Sequence, residues 1–225
     1  MKKIWLMLMT LSLSLTVQAE HADFNDVWQL AGNKLVELKT AEGKVPPLNK
    51  TAIMVYQQRS KMYGKGDLSY DAGQSCKPMG HPRLLWDEGL PFDIQVSPER
   101  ILFGYTWNRL HRLVDVTDAA LNVAGPTYLG TAVAQWQGDE LVIKSGGYNQ
   151  ATLLDAAGMP HSYQLKITER YRLINDGKQL QLHIEFDDPE TFNQSWSTEL
   201  TFDRVPNGRI REDICKIRMG LYPEN

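Results

Sequence analysis

Two strands and the turn between them can be predicted from residues 164–186, which run QLKITERYRLINDGKQLQLHIEF. On both sides of the central Asn-Asp-Gly, apolar side chains recur at every second position, a period typical of half-buried β-strands. Asn-Asp-Gly between two such runs indicates a hairpin turn. We therefore predict antiparallel strands over Gln164–Ile174 and Lys178–Phe186.

The same period of two extends over most of the chain after Pro91. Further strands are predicted over Phe92–Val96, Ile101–Asp115, Thr131–Trp136, Glu140–Tyr148, Ser197–Val205 and Ile210–Ile217. An opening strand over Asp23–Leu30 precedes the one sizeable helix, Leu48–Tyr63, and the long loop Gly64–Leu90. The short links favour antiparallel neighbours. An all-β meander of eight to nine strands usually closes into a barrel or folds as a sandwich.

The composition is that of an ordinary globular protein, with 42% hydrophobic and 23% charged residues. The net charge of −3 argues against a general nucleic-acid binder, which needs a basic surface. Familiar catalytic motifs are absent: there is no G-x-S-x-G, no H-E-x-x-H, no P-loop and no G-x-G-x-x-G. No histidines form a close ligand pair, and we expect neither a metal nor another cofactor.

Residues 1–19 are predicted to be a secretory signal peptide. Lys2 and Lys3 precede an apolar run from Ile4 to about Val17, and Ala19 supplies a small residue at the cleavage site. The alternative is an uncleaved anchor, but the run has about 14 residues and a membrane-spanning helix needs about 20. We expect a periplasmic or secreted protein without stable membrane insertion, in which residues 20–225 form a single domain.

The chain has two cysteines, Cys76 and Cys215. In an oxidising compartment, the simplest interpretation is one disulfide that closes a loop of about 140 residues. The alternative is a nucleophilic thiol, which would leave the second cysteine unpaired.

Charged side chains fall on otherwise apolar faces of two predicted strands. Glu169 shares a face with Ile167 and Tyr171. The apolar face of Ile101–Asp115 also carries the following candidates: Tyr105, Trp107, Arg109 and His111. Because ligand pockets combine an apolar lining with a few convergent polar groups, these side chains predict a pocket. The alternative is a structural ion pair between Glu169 and Arg109 or Arg170.

Several longer motifs add to this pattern: CKPMGHPR at residues 76–83, WQGDELVI at 136–143, GMPHS at 158–162 and TERYR at 168–172. In these motifs, and over most of the chain between the cysteines, the protein resembles a family of uncharacterised secreted bacterial proteins. The resemblance implies a lipocalin-like, or calycin-like, β-barrel, and it supports Arg83, Asn149 and His161 as site residues. The family pattern has histidine where this chain has Asn108 and Thr131, so any chemistry that needs those histidines differs here.

Three functions remain open at this point. The first is a periplasmic lipocalin-like protein that binds a small apolar or aromatic molecule through these residues: Trp107, Arg109, His111, Asn149, Tyr105 and Arg83. The second is a cofactor-free isomerase or lyase that acts on such a molecule, with Glu169 or His161 as the acid–base group. The third is an envelope interaction protein without a pocket. A cavity lined by Trp107, Arg109 and Glu169 would favour the first two, and convergence of His161 with Glu169 would favour the enzyme.

Overall fold

The computed structural model describes residues 21–32, 34–218 and 220, so the predicted signal peptide lies outside the described residues. Nine strands form one closed barrel, in which each strand pairs with its neighbours in the chain and the last returns to the first. They are β1 (Asp26–Leu30), β2 (Phe92–Val96), β3 (Arg100–Tyr105), β4 (His111–Val116), β5 (Thr131–Gln137), β6 (Glu140–Gly146), β7 (Lys166–Ile174), β8 (Gln179–Asp187) and β9 (Trp196–Arg204). The predicted all-β barrel is confirmed.

Alternating burial along the strands follows from the period of two. On β8, Leu182 and Ile184 point into the barrel and are fully buried, whereas Glu185 is exposed. Asn175, Asp176 and Gly177 all have left-handed backbone conformations, which closes the predicted hairpin between β7 and β8. Aromatic side chains fill much of the interior and are fully buried: Trp28, Phe92, Phe103, Tyr171, Phe186 and Phe202.

The prediction of one long strand over Ile101–Asp115 is wrong, because a turn at Trp107–Arg109 divides it into β3 and β4. Asn108 and Arg109 both take left-handed conformations there, with φ of 48° and 54°. The turn shifts the phase of the alternation, so Arg112 and Val114, rather than Arg109 and His111, face the interior. Before the turn, Gly104 lies opposite Asp93, where an added Cβ would come within 2.0 Å of Asp93 Oδ1.

Two further predictions are wrong, one of a strand and one of the direction in which two strands pair. Residues Ile210–Ile217 form no strand, because β9 pairs with β1 and the closed barrel offers no free edge. Instead, α2 (Cys215–Arg218) follows an irregular segment. The pairing between β4 and β5 is parallel, with Asp115 opposite Val133, because residues 117–130 carry the chain back along the barrel before β5 begins.

The connections are distributed unequally between the two ends of the barrel. Short turns at residues 97–99, 138–139 and 175–178 lie at one end. The long connections 31–91, 147–165 and 188–195 lie at the opposite end, together with the turn that contains Trp107. We call this opposite end the loop end. It is covered by far more chain than the other end, and both polar sites described below lie there.

The helix α1 (Lys50–Gly64) belongs to this cover and corresponds to the predicted helix over Leu48–Tyr63. Asn49 caps it, since its side chain accepts hydrogen bonds from the backbone N–H groups of Thr51 and Ala52. Tyr56 is buried and donates to Asp155 Oδ2 over 2.8 Å, which attaches the helix to the connection between β6 and β7. No helix in the described part of the chain has the length and apolar character needed to cross a membrane.

The disulfide between Cys76 and Cys215 is confirmed, with a Cα–Cα distance of 5.6 Å. It joins the long connection before β2 to α2, which follows the last strand. A bond across 139 residues restricts the unfolded chain strongly and holds the C-terminal segment against the loop end.

Candidate functional site

A group of polar side chains lies inside the barrel near the loop end, and we call it the interior cluster. Its members come from β3, β4 and β7 and from the connection before β2: Tyr105, Arg112, Glu169, Tyr171 and His81. Each is at most 3% exposed. Charged groups so far from water require partners, because an unpaired buried charge is very unfavourable.

Glu169 is the centre of the interior cluster. Its Oε2 accepts hydrogen bonds from both terminal nitrogens of Arg112, each at 3.0 Å, and its Oε1 accepts from the Tyr171 hydroxyl at 2.6 Å. Burial alone would raise the pKa of Glu169, but the charge of Arg112 and the contact with His81 lower it to about 2. The alternative of a structural ion pair therefore describes Glu169 well, although its partner is Arg112. Arg109 and Arg170 were the wrong candidates, because they pair with Glu212 and Glu140.

His81 connects the long loop to this ion pair. Its Nε2 lies 2.8 Å from Glu169 Oε1, and its Nδ1 lies 3.1 Å from the Tyr105 hydroxyl. Burial and then the nearby Arg112 lower the pKa of His81 to about 4, so the ring is neutral at pH 7. In the tautomer that fits an ionised carboxylate, Nε2 donates to Glu169 and Nδ1 accepts from Tyr105. With Nε2 protonated, its 2.8 Å contact with Arg112 Nη1 is not a hydrogen bond.

This order of groups, carboxylate to imidazole to hydroxyl, is the arrangement in which a carboxylate orients a histidine for proton transfer. Here, however, the hydroxyl belongs to Tyr105, which is itself 2% exposed, and burial raises its pKa further above 10. The interior cluster is thus a closed, buried network that supports the barrel, in which Arg112 Nε lacks a hydrogen-bond partner among the described residues. Chemistry on a substrate would require the loop end to open.

A second site lies within the loop end, and we call it the loop-end cavity. It has a volume of about 90 Å³. Its apolar lining comes from Leu68, Met79 and Trp107, and the half-buried Tyr63 also contributes. Its charged lining comes from five side chains on different segments: Lys34, Asp71, Arg83, Asp87 and Arg218. Two predicted ligand-binding residues, Arg83 and Trp107, are thus brought to one cavity.

Arg83 is the deeply buried cation of this cavity, at 4% exposed. Its Nη2 donates to Asp71 Oδ2 at 2.6 Å, and its Nε lies 2.6 Å from Asp87 Oδ2 in an ion pair that is poorly aligned for a hydrogen bond. The third nitrogen, Nη1, is buried and has no hydrogen-bond partner within the described chain. Burial opposes the charge of Arg83, but the two aspartates raise its pKa, so the guanidinium stays charged.

The other predicted site residues lie elsewhere. Arg109 is 59% exposed in its side chain and pairs with Glu212 at 2.9 Å, and His111 is exposed beside it along the same surface groove. His161 is buried, with Nε2 2.7 Å from Thr152 Oγ1 and Nδ1 2.9 Å from the Ser162 carbonyl. The three predicted inward positions Trp107, Arg109 and Glu169 therefore do not share one cavity.

Asn149 has a local role, in which its side chain accepts from the Ala151 N–H and stabilises a turn. His161 and Glu169 bond to separate partners, so the convergence expected of an enzyme with this pair is not observed. His81, Arg112, Asp71 and Asp87 were missed as site residues. For Arg112 the sequence carried a signal, because Asn108 tolerates the left-handed conformation of a turn and a turn there shifts the alternation so that Arg112 faces inward.

Within residues 21–32, 34–218 and 220, no three His, Cys, Asp or Glu side chains are grouped so that they could hold a metal ion. No protein-family model matches the chain, and no curated protein is significantly similar to it.

Proposed function

We propose that the protein is an exported, lipocalin-like binding protein that takes part of a small molecule into the loop-end cavity. The observation that supports this most directly is the buried Nη1 of Arg83, which lacks an acceptor and belongs to a residue that lines the cavity. A buried donor left unpaired costs about 1–3 kcal/mol, and an acceptor atom on a bound molecule would remove that cost.

The apolar lining supports a ligand with an apolar or aromatic part. Leu68, Met79 and Trp107 would contact that part, as expected for a site that combines a few polar groups with apolar walls. The cavity of about 90 Å³ is smaller than the cavity of about 150 Å³ that encloses benzene in an engineered protein. Only a small terminal group therefore fits inside, and the rest of the molecule would lie at the mouth near Tyr63 and Lys34.

The proposed location outside the cytoplasm rests on two observations. The sequence of residues 1–19 has the pattern of a signal peptide. The disulfide between Cys76 and Cys215 is typical of an oxidising compartment. We propose the periplasm or the extracellular medium as the place where the ligand is met.

Mass spectrometry of molecules retained by periplasmic protein tests this function. Leu68→Trp would fill the cavity from its half-buried side, without altering the ion pairs of Arg83. Leu113→Trp makes the same chemical change at a position that is 52% exposed on β4, and it serves as the control. We expect one small molecule to be released from the wild type and from Leu113→Trp, but not from Leu68→Trp. Equal retention by all three proteins, or by none of them, would contradict the proposal.

One contact favours a second candidate, the cofactor-free acid–base enzyme. The chain from Glu169 through His81 to Tyr105 replaces the predicted pair of Glu169 and His161. If this candidate is correct, the wild type converts the retained molecule to a product during incubation, and Glu169→Gln retains it unchanged. A retained molecule that is stable with both proteins would leave the binding protein as the function.

A further inference from the structure

We infer that the group received in the loop-end cavity is an uncharged carboxamide, and that carboxylates are disfavoured there. This inference rests on the proposed function and specifies the chemistry of its ligand. It follows from the charges around Arg83, the one side chain that offers a buried, unpaired donor to the cavity among the described residues.

The buried floor of the cavity carries one positive and two negative groups. Arg83, Asp71 and Asp87 are all at most 5% exposed, and the two carboxylates approach the guanidinium at 2.6 Å each. Because the guanidinium nitrogens lie in one small plane, an acceptor placed at Nη1 is close to both carboxylates. The floor as a whole is therefore negative, even though its free donor belongs to a cation.

A carboxylate at Nη1 would gain the attraction of Arg83 and meet the repulsion of two aspartates. Repulsion between like charges is screened weakly where water is excluded, so it is larger here than at the surface. A neutral carbonyl oxygen accepts the same hydrogen bond without that repulsion. Lys34 and Arg218 also line the cavity, but both side chains are exposed, so water screens their attraction for a carboxylate more than it screens the repulsion from the buried aspartates.

An amide suits the floor better than a ketone because it also donates. An ionised carboxylate has about four acceptor positions. Asp71 uses Oδ2 for Arg83 and Oδ1 for the Gly73 N–H, so acceptor capacity remains beside the guanidinium. The N–H groups of a carboxamide can point to these oxygens while its carbonyl accepts from Nη1. The size of the cavity fits a group of this kind.

Acetamide and acetate are matched probes, because they have nearly the same shape and differ in charge. We would titrate each into isotopically labelled protein at pH 7 and constant ionic strength, following the Trp107 indole and the Ala156 amide by NMR. Both residues line the cavity. We expect acetamide to bind at least about tenfold more tightly than acetate. Leu68→Trp should abolish the acetamide shifts, and Leu113→Trp should keep them.

Asp87→Asn tests the cause, because it removes one negative charge from the floor. Acetate should then bind about tenfold more tightly than it binds the wild type. Acetate binding as tightly as acetamide to the wild type would overturn the inference and leave the proposed function standing. If neither probe shifts Trp107 or Ala156, both the proposed function and the inference fail. The wild-type comparison decides the matter even if Asp87→Asn does not fold.

Discussion

His81 and Glu169 are 88 residues apart in the chain, yet a 2.8 Å hydrogen bond joins them inside the barrel. His81 comes from the long connection that follows α1, and Glu169 comes from β7. The bond therefore fixes the cover of the loop end to the barrel wall. Arg112 pairs with the same carboxylate, so the stability of the wall and that of its cover depend on one buried charge.

Replacing Glu169 with Leu should destabilise the protein by about 3 kcal/mol or more, because Arg112 would be left buried without a counter-charge. The double variant Glu169→Leu with Arg112→Leu should recover much of that loss, since apolar residues often replace a buried ion pair without cost. Urea denaturation measures both. Glu199→Leu is the control, because Glu199 is 55% exposed in its side chain and should change stability little. A Glu169→Leu protein as stable as the wild type would mean that Glu169 is not part of a structural ion pair.

Acid should destabilise the protein from pH 6.5 downward. The pKa of His81 falls from 6.5 to about 4 on folding, and that of Glu169 falls from 4.5 to about 2. The unfolded chain therefore binds more protons than the folded chain, at His81 between pH 6.5 and about 4 and at Glu169 between pH 4.5 and about 2. Above pH 6.5, both groups contribute their full stabilisation to the folded state. The contribution of His81 is lost as the pH falls from 6.5 to about 4, and that of Glu169 is lost between about 4.5 and 2. Burial also lowers the pKa of His161, which acts in the same direction.

The contribution of His81 to the pH dependence of stability can be isolated with the variant His81→Asn. Between pH 6 and pH 4.5, the slope of unfolding free energy against pH should be smaller than in the wild type by about 1 kcal/mol per pH unit. Denaturant titrations at several pH values give the slope. His183→Asn changes a partly exposed histidine and is the matched control. Identical slopes for His81→Asn and the wild type would show that His81 does not remain neutral in the fold.

Removing the disulfide should lower the free energy of unfolding by about 2–5 kcal/mol, because the bond closes a loop of 139 residues and restricts the unfolded chain. The test compares the wild type with Cys76→Ser, Cys215→Ser double-variant protein in urea, with and without reductant. Reductant should destabilise the wild type and leave the double variant unchanged. A wild type that is insensitive to reductant, with two free thiols by mass spectrometry, would contradict the bond.

Strand pairs with a clear turn between them were predictable from sequence. The boundaries of β8 were predicted to within one residue, because Asn175-Asp176-Gly177 marks the turn and the apolar period marks the strand. The burial of Glu169 followed from the same period. By contrast, the turn at Trp107–Arg109 contains neither glycine nor proline, so the period of two predicts one continuous strand with Arg109 inside, whereas the structure has Arg112 there.

The partners that give the site its chemistry were harder to predict. His81 lies in a connection without periodicity, and its bond to Glu169 depends on how the cover folds over the barrel. Asp87 lies four residues after Arg83, a spacing at which helical side chains can meet, but Asp71 lies 12 residues before it, and nothing in that spacing shows that it also approaches the guanidinium. Charge pairs formed by irregular segments need tertiary structure, because no repeating pattern fixes where their side chains point.

A crystal structure of protein purified from its native periplasm is the most direct test of the loop-end cavity as a binding site. We predict density for a molecule other than water, with an acceptor atom about 2.7–3.2 Å from Arg83 Nη1 and an apolar portion against Trp107. The same crystals of Leu68→Trp should lack it. A cavity that holds only water in the wild type, or a molecule bound elsewhere with Nη1 still unpaired, would contradict a binding function at this site.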